Sequence, residues 1–194
     1  TPSLTSIDAV KNILDAVKKY PLDPEVEITF EMNPRDVTEE KVASLAALGI
    51  NRFSLGLQSY DDQELAALGR NHDKATGMKA VQVLKEMNLT VDLMYGIELQ
   101  TEASFKKSLE KFIDSKANHL SLYQLTIEPN TIFYKKELKL PNEEIIEKIE
   151  RLAKKILEQN GFKQYEVSSW CKPGFESKHN VNYWQFGDFL GVGP

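Results

Sequence analysis

The chain has 194 residues, 41% hydrophobic and 27% charged, the balance of a globular domain able to bury one core. A formal net charge of -5 and a pI near 5.4 argue against a partner with a phosphate backbone, since such binding is dominated by clustered Lys and Arg. The single cysteine, Cys171, cannot close an internal disulfide, and no apolar run approaches the roughly 20 residues needed to cross a bilayer. These features imply a reducing, cytoplasmic compartment, with no nucleic-acid partner and no membrane-spanning segment. Position 1 is Thr rather than Met, and no charged-then-apolar signal precedes the first helical pattern, so a fragment is expected.

Thr5 or Ser6 caps a predicted helix to about Tyr20, with Val10, Ile13, Leu14 and Val17 on one face and Pro21 as its stop. The period then changes to two. Over residues 26–32, Val26, Ile28, Phe30 and Met32 alternate with Glu27, Thr29 and Glu31, which predicts a strand closed by Asn33-Pro34. A helix from Thr38 carries Val42, Leu45 and Leu48 inward and ends at Gly49. Residues 51–60, N-R-F-S-L-G-L-Q-S-Y, read as a buried strand ending in Gln58.

Asp61 or Asp62 caps a short helix to Leu68, and a second helix over residues 74–87 is expected to bury Ala75, Met78, Val81 and Leu84. Residues 91–95 are a strand interrupted by Asp92. A helix from Thr101 points Phe105, Leu109 and Phe112 inward, and residues 119–125 form the next strand. The longest helix runs from Asn142 to Asn160 before Gly161, its lysines and glutamates interleaved as on a solvated face. Residues 162–167 read as a strand, 170–183 as a loop rich in Lys, Asn and aromatics, and 189–192 as a last strand.

Strand and helix alternate throughout, without linkers or repeats, which predicts a parallel sheet covered by helices. Glu31, Gln58, Asp92 with Tyr95, and Gln124 with Thr126 lie in or just after the carboxyl halves of successive strands. Polar groups there favour a barrel or partial barrel over a doubly wound sheet, which binds only at a switch point.

Each polar residue has a bland alternative. Glu31 either bonds ligand hydroxyls or an ammonium group, or edges the solvent face. Gln58 either holds a ligand without adding charge or ties a strand end to a loop. Arg70 is a carboxylate fork or an ordinary helix-end arginine. Asp92 points more firmly to a site, because a carboxylate amid Val91, Leu93 and Met94 is costly to bury unless it binds something. Cys171 reads as a packed thiol, no metal set is spaced along the chain, and His72 and His119 carry no role. The stretch His179-Asn180-Val181-Asn182-Tyr183-Trp184 is either a wall for a flat ligand or a tied cover for a barrel end, and pattern leans to the cover.

Several segments in order resemble the radical S-adenosylmethionine (SAM) family of oxygen-independent coproporphyrinogen III oxidases and their relatives, the haem chaperones. Thr1-Pro2-Ser3-Leu4 resembles the tail of the family's G-G-G-T-P-S-L, Glu31-Met32-Asn33-Pro34 its E-x-N-P, and residues 51–59 its N-R-x-S-x-G-x-Q-S. Leu68-Gly69-Arg70-Asn71-His72 and Asp92-Leu93-Met94-Tyr95-Gly96 are similar to its L-G-R-x-H and D-L-I-Y-G. Leu120-Ser121-Leu122-Tyr123 and residues 164–168 extend the likeness, and residues 179–184 resemble the H-N-x-N-Y-W of the haem-chaperone branch.

The resemblance implies a partial parallel (β/α) barrel of the radical SAM type, spanning residues 1–194 as one core domain truncated at both ends. It implies SAM as cofactor, contacted by Thr1, Glu31, Gln58, Arg70, Asp92 and Thr126, with His179, Tyr183 and Trp184 facing haem or a porphyrin. It also implies a [4Fe-4S] cluster in the intact protein, held by a cysteine triad expected before Thr1, so the chain alone is expected to be inactive. The implied role is haem delivery to haem-accepting proteins, or alternatively oxidative decarboxylation of porphyrin propionates. Ile97-Glu98-Leu99-Gln100-Thr101 departs from the family's L-P-G-Q-T. The chain stops at Gly193-Pro194, inside a segment similar to G-x-G-P-G-A-H, so a carboxyl-terminal domain is expected to be missing too.

Overall fold

Four strands with apolar side chains on one face and polar ones on the other organise the chain. In a computed structural model, residues 1–136 and 138–193 are described, and the last residue of the terminal Gly193-Pro194 motif lies outside them. The helices are α1 (Ile7–Val17), α2 (Glu39–Ala47), α3 (Asp62–Ala67), α4 (Lys74–Leu84), α5 (Glu102–Asp114), α6 (Ile132–Lys135), α7 (Glu143–Gln159) and α8 (Lys178–Trp184). The strands are β1 (Thr29–Met32), β2 (Arg52–Gln58), β3 (Leu89–Tyr95), β4 (His119–Gln124), β5 (Lys163–Gln164) and β6 (Ser169–Cys171). They form one sheet in the order β1-β2-β3-β4-β6-β5. The first four strands are parallel neighbours, whereas β6 runs antiparallel to both β4 and β5.

Parity along the strands sets the layers. Phe53, Leu55 and Leu57 of β2, Val91 and Leu93 of β3, and Leu120 of β4 are buried with Leu45, Leu84, Phe105, Leu109, Phe112 and Leu157 from the helices. Each such Leu or Phe contributes about 1.5–3 kcal/mol on burial. The helices start where short polar side chains satisfy free N–H groups: Ser6, Thr38, Asp61, Asp73, Thr101, Asn142 and Ser177 all cap in this way. The charged face expected along α7 carries i,i+4 ion pairs, Glu144 with Lys148 at 2.6 Å and Glu147 with Arg151 at 3.3 Å.

The structure corrects several sequence expectations. α4 turns Gly77, Ala80, Val81 and Leu84 inward, while Ala75 and Met78 are exposed. The reason is close packing: a Cβ on Gly77 would come within 2.3 Å of Leu57 Cδ1, so the helix approaches β2 along its glycine. The first strand begins at Thr29, because Asn51 replaces part of the ladder before it. Its Oδ1 accepts from Ile28 N (2.8 Å) and its Nδ2 donates to Val26 O (2.8 Å). Residues 162–167 pair only over Lys163–Gln164, and residues 170–183 contain β6 and α8 rather than one loop. Residues 189–192 are not a strand, and Phe189, Leu190 and Val192 are exposed.

Candidate functional site

The second face of the strands is polar. Thr29 and Glu31 of β1, Arg52 and Ser54 of β2, Thr90 and Asp92 of β3, and His119, Ser121 and Tyr123 of β4 line a cleft of about 680 Å³. A closed barrel of this strand type normally fills its interior with branched apolar side chains. Here that space is lined by polar and charged side chains, which marks it as the candidate site.

At the carboxyl ends of the strands, Ser54 Oγ donates to the Asp92 carboxylate, 3.2 Å from Oδ1 and 3.3 Å from Oδ2. Burial pushes the Asp92 carboxyl up to about 6; hydrogen bonds from Ser121 and Ser54 counter this, Glu31 adds to it and Arg70 opposes it. Tyr123 Oη donates to Gln58 Oε1 at 2.7 Å, a bond that reaches from β4 to β2 across β3. Burial and the nearby Asp92 push the Tyr123 phenol up to about 12, so it remains a donor. Arg70 Nη2 donates to Gly56 O (2.9 Å) and Asn33 Oδ1 (3.1 Å), while its Nε is buried without a partner. Gly56 is the floor of this corner. A Cβ there would lie 3.2 Å from Gln58 Nε2 and 3.5 Å from Arg70 Nη2.

The backbone at Gln58 is left-handed, with φ of 73°, and Ser59 N donates across it to Leu57 O at 3.0 Å, closing a γ-turn. Buried Glu64 anchors the turn. Its carboxylate accepts from Ser59 Oγ (2.6 Å), Ser104 Oγ (2.6 Å) and Gln100 Nε2 (3.0 Å), and Gln100 Oε1 accepts from Gly96 N (2.8 Å). The departing segment of residues 97–101 thus keeps its glutamine in use.

The amino ends of the strands are covered by α8. Ser177 Oγ and the N–H groups of Lys178 and His179 donate to the Glu27 carboxylate over 3.2–3.5 Å. Arg52, buried beneath, donates to Thr90 Oγ1 (2.8 Å), Glu27 Oε2 (3.5 Å) and Phe175 O (3.4 Å). Tyr165 Oη accepts from Ser177 N (3.2 Å) and Asn180 Nδ2 (3.1 Å), which directs its own proton to His119 Nε2 at 2.7 Å. Burial, then Arg52, pulls His119 down to about 3, so its ring is neutral.

Of the residues singled out by sequence, Glu31, Asp92 and His179 line the cleft; Gln58 and Arg70 lie outside the lining, Gln58 touching it through Tyr123 and Arg70 donating to Gly56 O beside it. Thr1 is exposed beside Pro2, a lining residue whose segment is tied to β1 by Ser3: Ser3 Oγ donates to Asp36 Oδ2 (2.6 Å) and accepts from Asn33 N (3.2 Å). Thr126 is exposed past β4 and does not line the cleft. Tyr183 stacks edge-on against His179 at 4.9 Å but, like Trp184, lies outside the lining. Tyr95 and Gln124 face the helix side, where Tyr95 Oη meets Glu150 Oε1 (2.8 Å) and Gln124 packs by Gly96. Ser54, Ser121, Tyr123, Arg52 and Glu64 escape a search by strand ends. A period-two count of polar residues along β2, β3 and β4 would have found the first four; Glu64 carries no such signal.

A parallel strand–helix half barrel with a polar hollow, carboxylates lining it and an amide and a guanidinium beside it, defines an α/β protein with a candidate ligand-binding cleft. Residues 3–112 match the Radical SAM superfamily, and the chain belongs to that superfamily. Over its whole length it is 40% identical to the heme chaperone HemW of Haemophilus influenzae and 38% identical to that of Escherichia coli K12, covering 51% and 52% of them. It is 37% identical to the mouse protein named radical S-adenosyl methionine domain-containing protein 1, mitochondrial, over 46% of that protein. The chain therefore spans about half the length of these relatives. In fold it is similar to the Escherichia coli coproporphyrinogen III oxidase HemN, described as a radical SAM enzyme, with a TM-score of 0.82 at 20% identity, covering 95% of this chain and 44% of that one. Members of the superfamily use SAM and a [4Fe-4S] cluster. Among the described residues no helix is long and apolar enough to cross a membrane.

Proposed function

We propose that this chain is the SAM-binding core of a haem chaperone of the HemW type. The observation that carries the reading is the corner at Gly56. Arg70 Nη2 and the Gln58 amide both lie over this glycine, Arg70 Nε is buried and unpaired, and Glu31 and Asp92 line the adjoining cleft. Donors and carboxylates converge as a zwitterionic amino acid joined to a ribose requires, so these residues fit SAM. Arg70 and Gln58 would meet its acceptor oxygens, and Glu31 and Asp92 its ammonium or hydroxyl groups. Thr1 and Thr126 belong to this reading as flanking contacts. SAM, when bound to a reduced cluster, supplies radical chemistry.

The described residues do not fit the cluster itself. The one cysteine, Cys171, is buried in β6 with its thiol pushed up to about 11 by burial, and no three His, Cys, Asp or Glu residues among those described are placed to hold a metal. Haem is assigned to α8, where His179 at the edge of the cleft and exposed Tyr183 and Trp184 share one short helix. A reducing, cytoplasmic setting and hand-over to haem-accepting proteins follow from the same reading. Coproporphyrinogen oxidation is the lesser reading, since the oxidase likeness is one of fold at 20% identity.

Haem titrated into the full-length protein is expected to give a saturable Soret shift that His179→Ala weakens. An unchanged titration removes His179 from the site. SAM titrated calorimetrically is expected to saturate, with Arg70→Ala raising Kd about tenfold or more, as loss of a charged hydrogen bond does; an absence of saturable binding ends the cofactor reading.

A further inference from the structure

We propose that Tyr123 is a positioning residue that presents Gln58 to the ligand as a hydrogen-bond donor only. The inference rests on the reading of the cleft as a SAM site. A glutamine amide is ordinarily ambidextrous, offering an oxygen that accepts and a nitrogen that donates. In this corner the ambiguity is removed. Tyr123 Oη, a protonated phenol, donates to Oε1 at 2.7 Å, so the oxygen is engaged on the side of β4. Nε2 lies over Gly56, and among the described residues it has no hydrogen-bond partner and is not a sealed buried atom.

The backbone is set in the same sense. The left-handed φ of 73° at Gln58 aims its side chain over β3, and Ser59 immediately after it is held by the buried Glu64 carboxylate at 2.6 Å. The next N–H, of Tyr60, is taken by Ser108 Oγ at 3.2 Å, so the turn is tied to α5 as well. Three elements, β4, α3 and α5, therefore fix one amide, and none of them uses its nitrogen. The bridge divides the cleft by polarity. Gln58 Nε2 and the Arg70 guanidinium lie beside Gly56 of β2, while Glu31 and Asp92 line the cleft as acceptors. A ligand is thereby required to place acceptor oxygens, of a carboxylate or a hydroxyl, against Gln58.

The test is a double-mutant cycle read by calorimetric titration of SAM into the full-length protein. Tyr123→Phe, which keeps the ring and its packing in β4, is expected to raise Kd about five- to tenfold, the worth of one hydrogen bond. Gln58→Ala raises it at least as much, and the double variant binds no more weakly than Gln58→Ala alone, because Tyr123 acts through Gln58. Gln58→Glu, which turns an acceptor toward the ligand's acceptor, binds more weakly than Gln58→Ala. A merely structural tyrosine would give additive losses. Additive losses, an unchanged Kd in Tyr123→Phe, or a Gln58→Glu variant that binds as well as the parent each overturn the proposal. Failure of the parent protein to bind SAM overturns the cofactor reading itself, and that outcome is seen before any variant is compared.

Discussion

Asp92 is a carboxylate held inside the sheet at a cost, and the cost has a pH signature. Its folded-state pKa is raised from 3.8 to about 6, so the folded chain binds the proton more tightly than the unfolded one. Its contribution to stability is therefore fully present below about pH 4 and lost as pH rises through about 6. His119 acts in the opposite sense: its pKa falls from 6.5 to about 3, and stability is lost as pH falls from about 6.5 toward 3. Asp92→Asn is expected to stabilise the ligand-free protein at pH 7–8 by on the order of 2 kcal/mol and to leave the acid loss due to His119. Urea midpoints measured from pH 4 to 8 check this; an unchanged profile would show that water reaching the cleft already solvates the carboxylate. Asp92 was legible in the sequence because a charge amid Val91, Leu93 and Met94 calls for a reason. Tyr95 misled because it lies three residues on, and an odd step along a strand turns a side chain to the other face. Tyr123, on the correct face, carries no charge and passes for an ordinary strand aromatic.

Among the elements, α8 is one of two helices the sequence concealed, the other being the four-residue α6. The seven residues of α8 have too short a stripe to announce a helix, and its start depends on a residue far away in the chain. The Glu27 carboxylate serves as a second cap beside Ser177, 150 residues apart, and also neutralises Arg52, whose side chain is only 2% exposed. The tendency of residues 179–184 toward a barrel cover was readable from their mixture of amides and aromatics; their helicity was not. Glu27→Ala removes the cap and leaves Arg52 buried beside fewer acceptors. It is expected to cost about 2–4 kcal/mol in chemical denaturation, with amide exchange at Lys178 and His179 of α8 faster than in the unsubstituted protein. Equal protection at those two amides would show that Ser177 alone holds the helix. The longer helices were legible because each carries its own cap and stripe; their errors are a shifted face in α4 and an α1 that ends at Val17 with Ile13 and Val17 exposed.

At the scale of the whole molecule, the alternation of strand and helix foretold four parallel strands, but not the turn to antiparallel at β6. Pairing direction is settled by where a short strand finds an open edge, and β6 finds it along β4, with Leu122 N donating to Ser168 O at 2.7 Å. The half barrel keeps its apolar side chains for the helices and lines its hollow with serines, threonines, carboxylates and histidines. That division has a calorimetric consequence. Covering apolar surface lowers heat capacity and covering polar surface raises it. A ligand entering an oily pocket shows a clearly negative heat-capacity change. Filling this hollow with SAM is expected to show one near zero, its binding enthalpy nearly flat between 10 and 30 °C.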